Sequence, residues 1–231
     1  MAITYNPRIV TDGLVLALDA GNTKSYNAGI STTAWNDLSG RGNIGIMTNG
    51  PTYSSANGGS IVFDGINDAV SLGSFPGYNQ NVGSIAMWIN PISGGRIFSQ
   101  YLSDTNRHRI AYSAVYSLSI DTSSGLSFSS NNDSVPPNNW SNITYTYDFN
   151  NGLFSIYVNG TLNVGISSTV SAPSIVGEIT LGCAKDFDVG TPTNYFSFYS
   201  GNISQVSIYN KALTSSEVQQ NFNALRGRFG I

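Results

Sequence analysis

Few residues in this chain of 231 are equipped for acid–base, nucleophilic or metal chemistry. It holds two glutamates, Glu178 and Glu217, one histidine, His108, and one cysteine, Cys183. A retaining glycosidase needs two carboxyl groups about 5–5.5 Å apart. Glu178 opens the run EITLG with no acidic residue two or four places on, and Glu217 lies where a helix cap is expected. His108 stands between Arg107 and Arg109, whose charges would depress its basicity, and it reads as a solvated histidine on a strand or loop. No G-x-S-x-G elbow is present for nucleophilic catalysis, and no G-x-x-x-x-G-K loop for a phosphate. One His and one Cys cannot build a zinc site. Cys183, in ITLGC, reads as a small buried hydrophobe, and a lone cysteine forms no intrachain disulfide. These residues predict a protein that is not an enzyme.

Composition narrows the setting. Charged residues make up 10% of the chain, against roughly 25% in a typical soluble domain. Asn, Ser, Thr, Gly and Tyr take their place, a surface that stays wet where salt would screen charge. The formal net charge of −3 gives no footprint for nucleic acid. The apolar run LVLAL is too short to cross a membrane, so no membrane insertion is expected. The start, MAITYNPRIV, lacks the basic and apolar regions of a signal peptide. An extracellular-looking composition without a secretion address suits a viral structural protein, which folds inside its host and leaves by lysis. A cytosolic protein, or one exported without a cleaved leader, would look the same.

The elements that position these residues read as strands. Period-two alternation between turn signals recurs along the chain. GLVLALD opens as a buried strand, and residues 22–60 read as long loops pinned by Trp35 and Tyr53. SIVFDG and DAVSLG read as two strands around a turn. GSIAMWINP places Ile85, Met87 and Ile89 on one side and Ala86 and Trp88 on the other, and Pro91 is expected to end it. RIFSQY, RIAYSA, YSLSID and LSFSS follow at even spacing. WSNITYTYD and LFSIYVNG meet at the hairpin signal Asn150-Asn151-Gly152, and Asn159-Gly160 is another. EITLG, NYFSFYSG and NISQVSIYN complete a set too large for one sheet, so two packed sheets are expected. Near the end, Thr214 and Glu217 have capping-box spacing. Val218, Phe222 and Leu225 form one apolar stripe, and Gly227 is placed to stop the helix at about residue 226. The expectation is an N-terminal arm over 1–12 and a single all-β domain over 13–231, closed by one short helix at about 214–226.

The order of segments resembles the laminin-G-like jelly-roll domains of the concanavalin A-like lectin and glucanase superfamily. The residues that carry the resemblance are GLVLALDA, WNDLSGRGNIGIM, SIVFDGINDAVSLG and SIAMWINP, then WSNITYTYDFNNGLFSIYVNGTLNVG and GNISQVSIYNKALTSSEVQQNF. Where the family often has a doubled Asp and an aromatic after FDG, this chain has Asn67-Asp68-Ala69, which puts a role for that loop in doubt. The opening LDAGNTKSY is also similar to structural proteins of tailed phages.

The resemblance implies a two-sheet antiparallel jelly-roll sandwich that binds without catalysing. Many relatives carry calcium, which takes six to eight oxygens. The residues here that would supply them are Asp19, Asn22 and Asp37, with Asp186 and Asp188 as a further pair. The same residue types also form turns on their own backbone. Glycan binding, also implied by the family, needs aromatic faces with polar groups beside them. Trp35, Tyr78, Tyr101, Tyr116 and Tyr195, near loops or strand ends, would supply the faces, and Asp104, Asn106 and Arg107 the polar contacts. Trp88 and Trp140, within strands, read as core. The expected role is a structural or adhesion protein on the surface of a phage virion, as head decoration or in a tail or fibre. Its partners would be other virion proteins, host surface polysaccharide and copies of itself. A free carbohydrate-binding module is the alternative, and a glycan hydrolase the more distant one.

Overall fold

Alternating apolar and polar residues, punctuated by Asn and Gly, fold into strands along most of the chain. The computed structural model describes residues 8–30, 33–74, 77–103, 106–174, 177–185 and 195–231. In chain order the first strands are β1 (Leu14–Asp19), β2 (Ala34–Asn36), β3 (Ile44–Thr48), β4 (Thr52–Ser54), β5 (Ser60–Asp64) and β6 (Ala69–Gly73). The long β7 (Val82–Ser93) and β8 (Gly95–Ser103) follow, then β9 (Asn106–Tyr112), β10 (Leu118–Thr122) and β11 (Ser127–Ser129). Next come β12 (Ser141–Asp148), β13 (Leu153–Val158), β14 (Thr161–Ser167), β15 (Ile179–Leu181), β16 (Ala184–Lys185) and β17 (Tyr195–Phe196). β18 (Ser200–Tyr209) and the helix α1 (Ser215–Phe229) end the chain.

Two antiparallel sheets face one another. The first runs β14-β13-β12-β7-β18-β5-β4, with β1 also paired to β18. The second runs β11-β10-β9-β8-β15-β6-β3-β2. Between them lies one apolar core. Ile85, Met87 and Ile89 of β7 and Tyr145 and Tyr147 of β12 meet Phe98, Ile110 and Leu181 of the second sheet. This is the concanavalin A-like sandwich, all-β but for the helix.

The helix covers the outer face of the first sheet. Thr214 accepts the Glu217 amide and Glu217 accepts the Thr214 amide, closing the capping box. Val218 and Phe222 are buried as the stripe predicts. Trp88, on the outward side of β7, lies 4.1 Å from the Phe229 ring and 5.8 Å from Phe222, nearly parallel to both. Trp140 is half-buried beside Phe229. Gly227 does not stop the helix. It continues to Phe229, and Gly230 takes the left-handed C-cap conformation at φ 74°. Phe229 packing on Trp88 is the physical reason for the extra residues.

Other expectations meet the structure unevenly. Asn159 (φ 48°) and Gly160 (φ 76°) form the turn between β13 and β14, and Asn150–Gly152 turns β12 into β13. β5 and β6 are joined by a turn but lie in different sheets. Residues 22–60 hold β2, β3 and β4 rather than loops alone. These strands are three to five residues long, too short to show a period. β7 does not end at Pro91: it runs to Ser93, and the ladder shifts register where Pro91 meets Gly201, so the missing amide is tolerated. Of the expected arm, Val10 is buried against α1. Its amide donates to Asn221 Oδ1 at 2.7 Å, and its carbonyl accepts from the Tyr209 hydroxyl at 3.1 Å.

Candidate functional site

With α1 on the first sheet, the outer face of the second sheet is the one the helix leaves uncovered, although Ser99 and Thr180 on it are buried and Ser71, Arg107, Arg109, Asp121 and Ser127 keep exposure. Strand register assigns its residues to faces. Val70, Leu181, Phe98, Ile110, Ile120 and Phe128 pair in turn across six strands and point into the core. One residue along, Ser71, Thr180, Ser99, Arg109, Asp121 and Ser127 pair in the same way and point outward. Arg107, opposite Tyr101, begins the next outward row.

An ion triad stands on β9 and β10, towards the β11 edge of this face. Asp121 Oδ1 accepts from Arg107 Nε at 2.7 Å, and Oδ2 accepts from Arg109 Nη2 at 2.6 Å. The Arg109 side chain is 12% exposed and that of Arg107 22%. Burial by itself would raise the Asp121 carboxyl, but the hydrogen bonds from Arg109 and Arg107 outweigh it and hold the group below its usual range. Arg109 Nε is buried and has no partner, and neither has the Ser99 hydroxyl beside it.

Aromatic residues wall this floor. The ribbon of β16 and β17 packs on β8. Tyr101 is buried, with its ring edge-on to Phe196 at 5.2 Å. Lys185 is paired with Glu178 and lies 5.4 Å from the centre of the Tyr195 ring. Burial opposes the charge on Lys185, but Glu178 overcomes this and its ammonium is raised. The arrangement offers the part-exposed guanidinium groups of Arg107 and Arg109, with the part-exposed rings of Tyr195 and Phe196 on the neighbouring ribbon.

Tyr101 and Arg107 are thus paired across β8 and β9, Tyr195 lies opposite Lys185 on the ribbon that packs on β8, and other expected site residues lie elsewhere. Trp35 is fully buried in β2 and part of the core, not a loop platform. It sits opposite Gly45, where a Cβ would lie 2.9 Å from Val70 Cγ1. Tyr78 turns its hydroxyl to His108 inside the sandwich. Tyr116 is exposed at the turn between β9 and β10, the opposite end of that hairpin from Arg107. Asn106 begins β9. Asp104, Asp186 and Asp188 lie outside the described residues.

The expected calcium ligands are held by hydrogen-bond donors. Asp19 accepts from Arg228 Nη1 at 2.6 Å and from the Gly21 amide at 2.8 Å. Asn22 accepts from the Lys24 amide. Asp37 accepts from the amides of Ala17 and Ser39, the Ser39 hydroxyl and the Asn43 side chain, all within 2.9 Å. A cation here would have to displace these donors, so Asp19, Asn22 and Asp37 do not fit a calcium set. Among the described residues no three of His, Cys, Asp and Glu gather as a metal would require.

His108 is not a solvated residue. It is fully buried on the inward side of β9, 3.1 Å from the Tyr78 hydroxyl and edge-on to the rings of Tyr145 and Tyr147. Burial lowers its pKa to about 4, against a smaller raising effect of Asp121. Alternation along Arg-His-Arg was the available signal: period two sends both arginines outward and the histidine inward. The same alternation marks Asp121 in SID as outward. Ser99 and Phe196 left no comparable trace. Away from this face a recess of about 460 Å³ opens by Tyr26 and Tyr53, whose ring centres are 5.2 Å apart. Its Asn49 side chain already donates to the Asn67 carbonyl.

Two opposed antiparallel sheets, the first capped by a helix and the second by the short β16–β17 ribbon over β8, define a lectin-type sandwich. Residues 63–219 match the model of the concanavalin A-like lectin/glucanases superfamily, and the chain belongs to that superfamily. No curated protein sequence matches it. Among solved structures it is similar to the binding domain of botulinum neurotoxin DC in complex with rat synaptotagmin II. That match has TM-score 0.71 and 16% identity over 94% of this chain and 52% of the toxin domain. It is also similar to the binding domain of Paraclostridial mosquitocidal protein 1 (TM-score 0.70, 17% identity, 93% of this chain, 52% of that one). The chain therefore spans about half the length of these toxin domains. A third structure is domain 4 of AbnA, a GH43 extracellular arabinanase from Geobacillus stearothermophilus, in complex with arabinotriose. It matches with TM-score 0.64 and 19% identity over 90% of this chain and 97% of that domain. At these identities the likeness is one of fold.

Proposed function

We propose that this chain is a non-enzymatic, lectin-like binding domain that takes a saccharide on the outer face of its second sheet. We place it on a phage virion, as head decoration or in a tail or fibre. The observation that carries the binding reading is the part-exposed pair Arg107 and Arg109, with the part-exposed rings of Tyr195 and Phe196 on the ribbon that packs on the neighbouring β8. Hydroxyl-rich ligands are held by such polar groups set against apolar ring surface. The non-enzymatic reading draws on the two glutamates: Glu178 is paired with Lys185, and Glu217 serves the helix cap and shares Lys211 with Asp12, so both are tied up in ion pairs. The virion reading draws on the weakly charged composition and on the opening LDAGNTKSY.

A polysaccharide-binding panel with the whole chain tests the first part, with retention of at least one polysaccharide expected. Release of reducing ends by the pure protein would overturn the non-enzymatic reading. Quantitative mass spectrometry of purified particles from the source tests the second part. Copies near the level of the major shell protein mean decoration, a few mean tail or fibre, and absence overturns the virion role. The alternative, a free carbohydrate-binding module, is favoured by the match to nearly all of a single arabinanase domain in complex with arabinotriose.

A further inference from the structure

We infer that Asn57 is a site of self-modification, where the Gly58 nitrogen attacks the Asn57 side chain with help from Arg228. The chain has four Asn-Gly pairs, at 49–50, 57–58, 151–152 and 159–160. Glycine leaves the nitrogen that follows an asparagine open to close approach, so the composition of each pair allows a five-membered succinimide. In that step the Gly58 nitrogen bonds to Asn57 Cγ, the Cγ–Nδ2 bond breaks, and the amide proton leaves with Nδ2 as ammonia. Water then opens the ring at either carbonyl. The product is an aspartate or an isoaspartate, with one more negative charge on the chain.

Side-chain bonds separate the four pairs. Asn151 Nδ2 donates to Asp148 Oδ2 at 2.7 Å, and Asn159 Oδ1 accepts from the Asn142 amide at 2.8 Å. Asn49 Nδ2 donates to the Asn67 carbonyl at 2.9 Å. Asn57 is exposed, and among the described residues its side chain bonds to nothing. Backbone conformation does not make this distinction: Asn49, Asn57 and Asn159 all have positive φ, at 65°, 49° and 48°. The glycines differ as well. A Cβ at Gly152 would lie 2.3 Å from the Ser168 carbonyl oxygen, and one at Gly160 2.9 Å from the Phe222 ring. Gly58 is exposed and has only the Arg228 side chain beside it, with Nε nearest at 3.0 Å.

Arg228 supplies the second argument. Its Nε donates to the Asn57 carbonyl at 2.8 Å, and that oxygen belongs to the peptide group whose nitrogen must attack. The nitrogen reacts once its proton is lost, and a cation bonded to the oxygen favours the anionic form. A simpler reading makes Asn57 reactive only because its turn is loose. The two part at Arg228: loosening the turn speeds the attack, whereas removing the cation slows it.

Peptide mapping by mass spectrometry of the whole chain, held in mildly alkaline buffer and sampled over time, follows all four pairs together. Asn57 should convert roughly tenfold faster than any other, the factor that one side-chain hydrogen bond is worth, with Asn49 next. In guanidinium chloride the four should convert alike. Asn57 should react at least as fast in the native chain as in the denatured one, because only the fold brings Arg228 to it. Arg228→Ala should slow Asn57 severalfold in native buffer, with a thermal melt to show that the variant is folded. If it does not fold, the native and denatured rates of the unaltered chain decide. Another pair converting first, Asn57 slower native than denatured, or a folded Arg228→Ala chain converting as fast as the unaltered one would overturn the inference.

Discussion

Moving the His108 side chain from water to the interior strips hydration from its charged form, and the cage around it returns only the Tyr78 hydroxyl at 3.1 Å. Tyr78, Tyr145 and Tyr147 are the titratable groups against the ring, and burial keeps all three hydroxyls neutral far into alkali. Asp121, on the far side of the sheet, raises the imidazole too little to offset burial, leaving a pKa of about 4. In the unfolded chain the value is near 6.5. The unfolded state therefore takes up a proton that the folded state refuses. This contribution is complete above about pH 6.5 and is lost as pH falls towards 4, by ~3 kcal/mol in all. Urea unfolding from pH 7.5 to 4 should show that fall, and His108→Phe should flatten it whatever its effect at neutral pH. An equal slope in the variant would assign the fall to other groups. Asp121 acts in a lower window: its depressed carboxyl contributes stability above about pH 3.9, lost as pH falls further.

At the scale of elements, the joint between α1 and the first sheet centres on Arg228. Its Nε donates to the Asn57 carbonyl at 2.8 Å, Nη1 to Asp19 at 2.6 Å, and Nη2 to the Gly59 carbonyl at 2.6 Å and to Ser204 at 2.5 Å. These bonds gather β1, the turn before β5 and β18 under the last turn of the helix. Arg228→Ala leaves a part-buried Asp19 without its cation and should cost ~2–3 kcal/mol. Thr214→Ala removes only the cap and should cost ~1 kcal/mol. Urea midpoints of the two variants check the order; equal losses would mean that the clamp is mostly screened by water. The cap was legible in the sequence because its partners lie three residues apart. The clamp was not, since Arg228 and Asp19 are 209 residues apart and no local pattern links them.

For the molecule as a whole, the sheets share one continuous core, and Cys183 reports on it. The thiol is fully buried, and burial pushes its pKa up to about 12, with the Thr180 hydrogen bond opposing. The reactive thiolate is thus scarce and shielded. A disulfide exchange reagent should leave Cys183 untouched in native buffer, and labelling in urea should rise together with the loss of tryptophan signal. Labelling well before that transition would show that β15 and the ribbon open independently of the core.

The sequence alone determined that this chain is a sandwich of short strands with one capped helix. Alternation, the turns at Asn150–Gly152 and Asn159–Gly160, and the Thr214–Glu217 box depend on neighbours a few residues apart, and local chemistry decides them. It also brought Tyr101, Arg107 and Tyr195 forward as candidates, though not as members of one site. Tertiary structure decided which strands pair, and with that which aromatic residues are core. Trp35 reads as a loop residue until β2 is seen to close the edge of the second sheet against Gly45. Tyr78 reads as a surface platform until its hydroxyl is seen beside His108. Only tertiary structure built the outer face of the second sheet, because the outward row from Ser71 to Ser127 is assembled from strands far apart in the chain. Pairing energy is gained only on assembly, and no run of neighbouring residues records it.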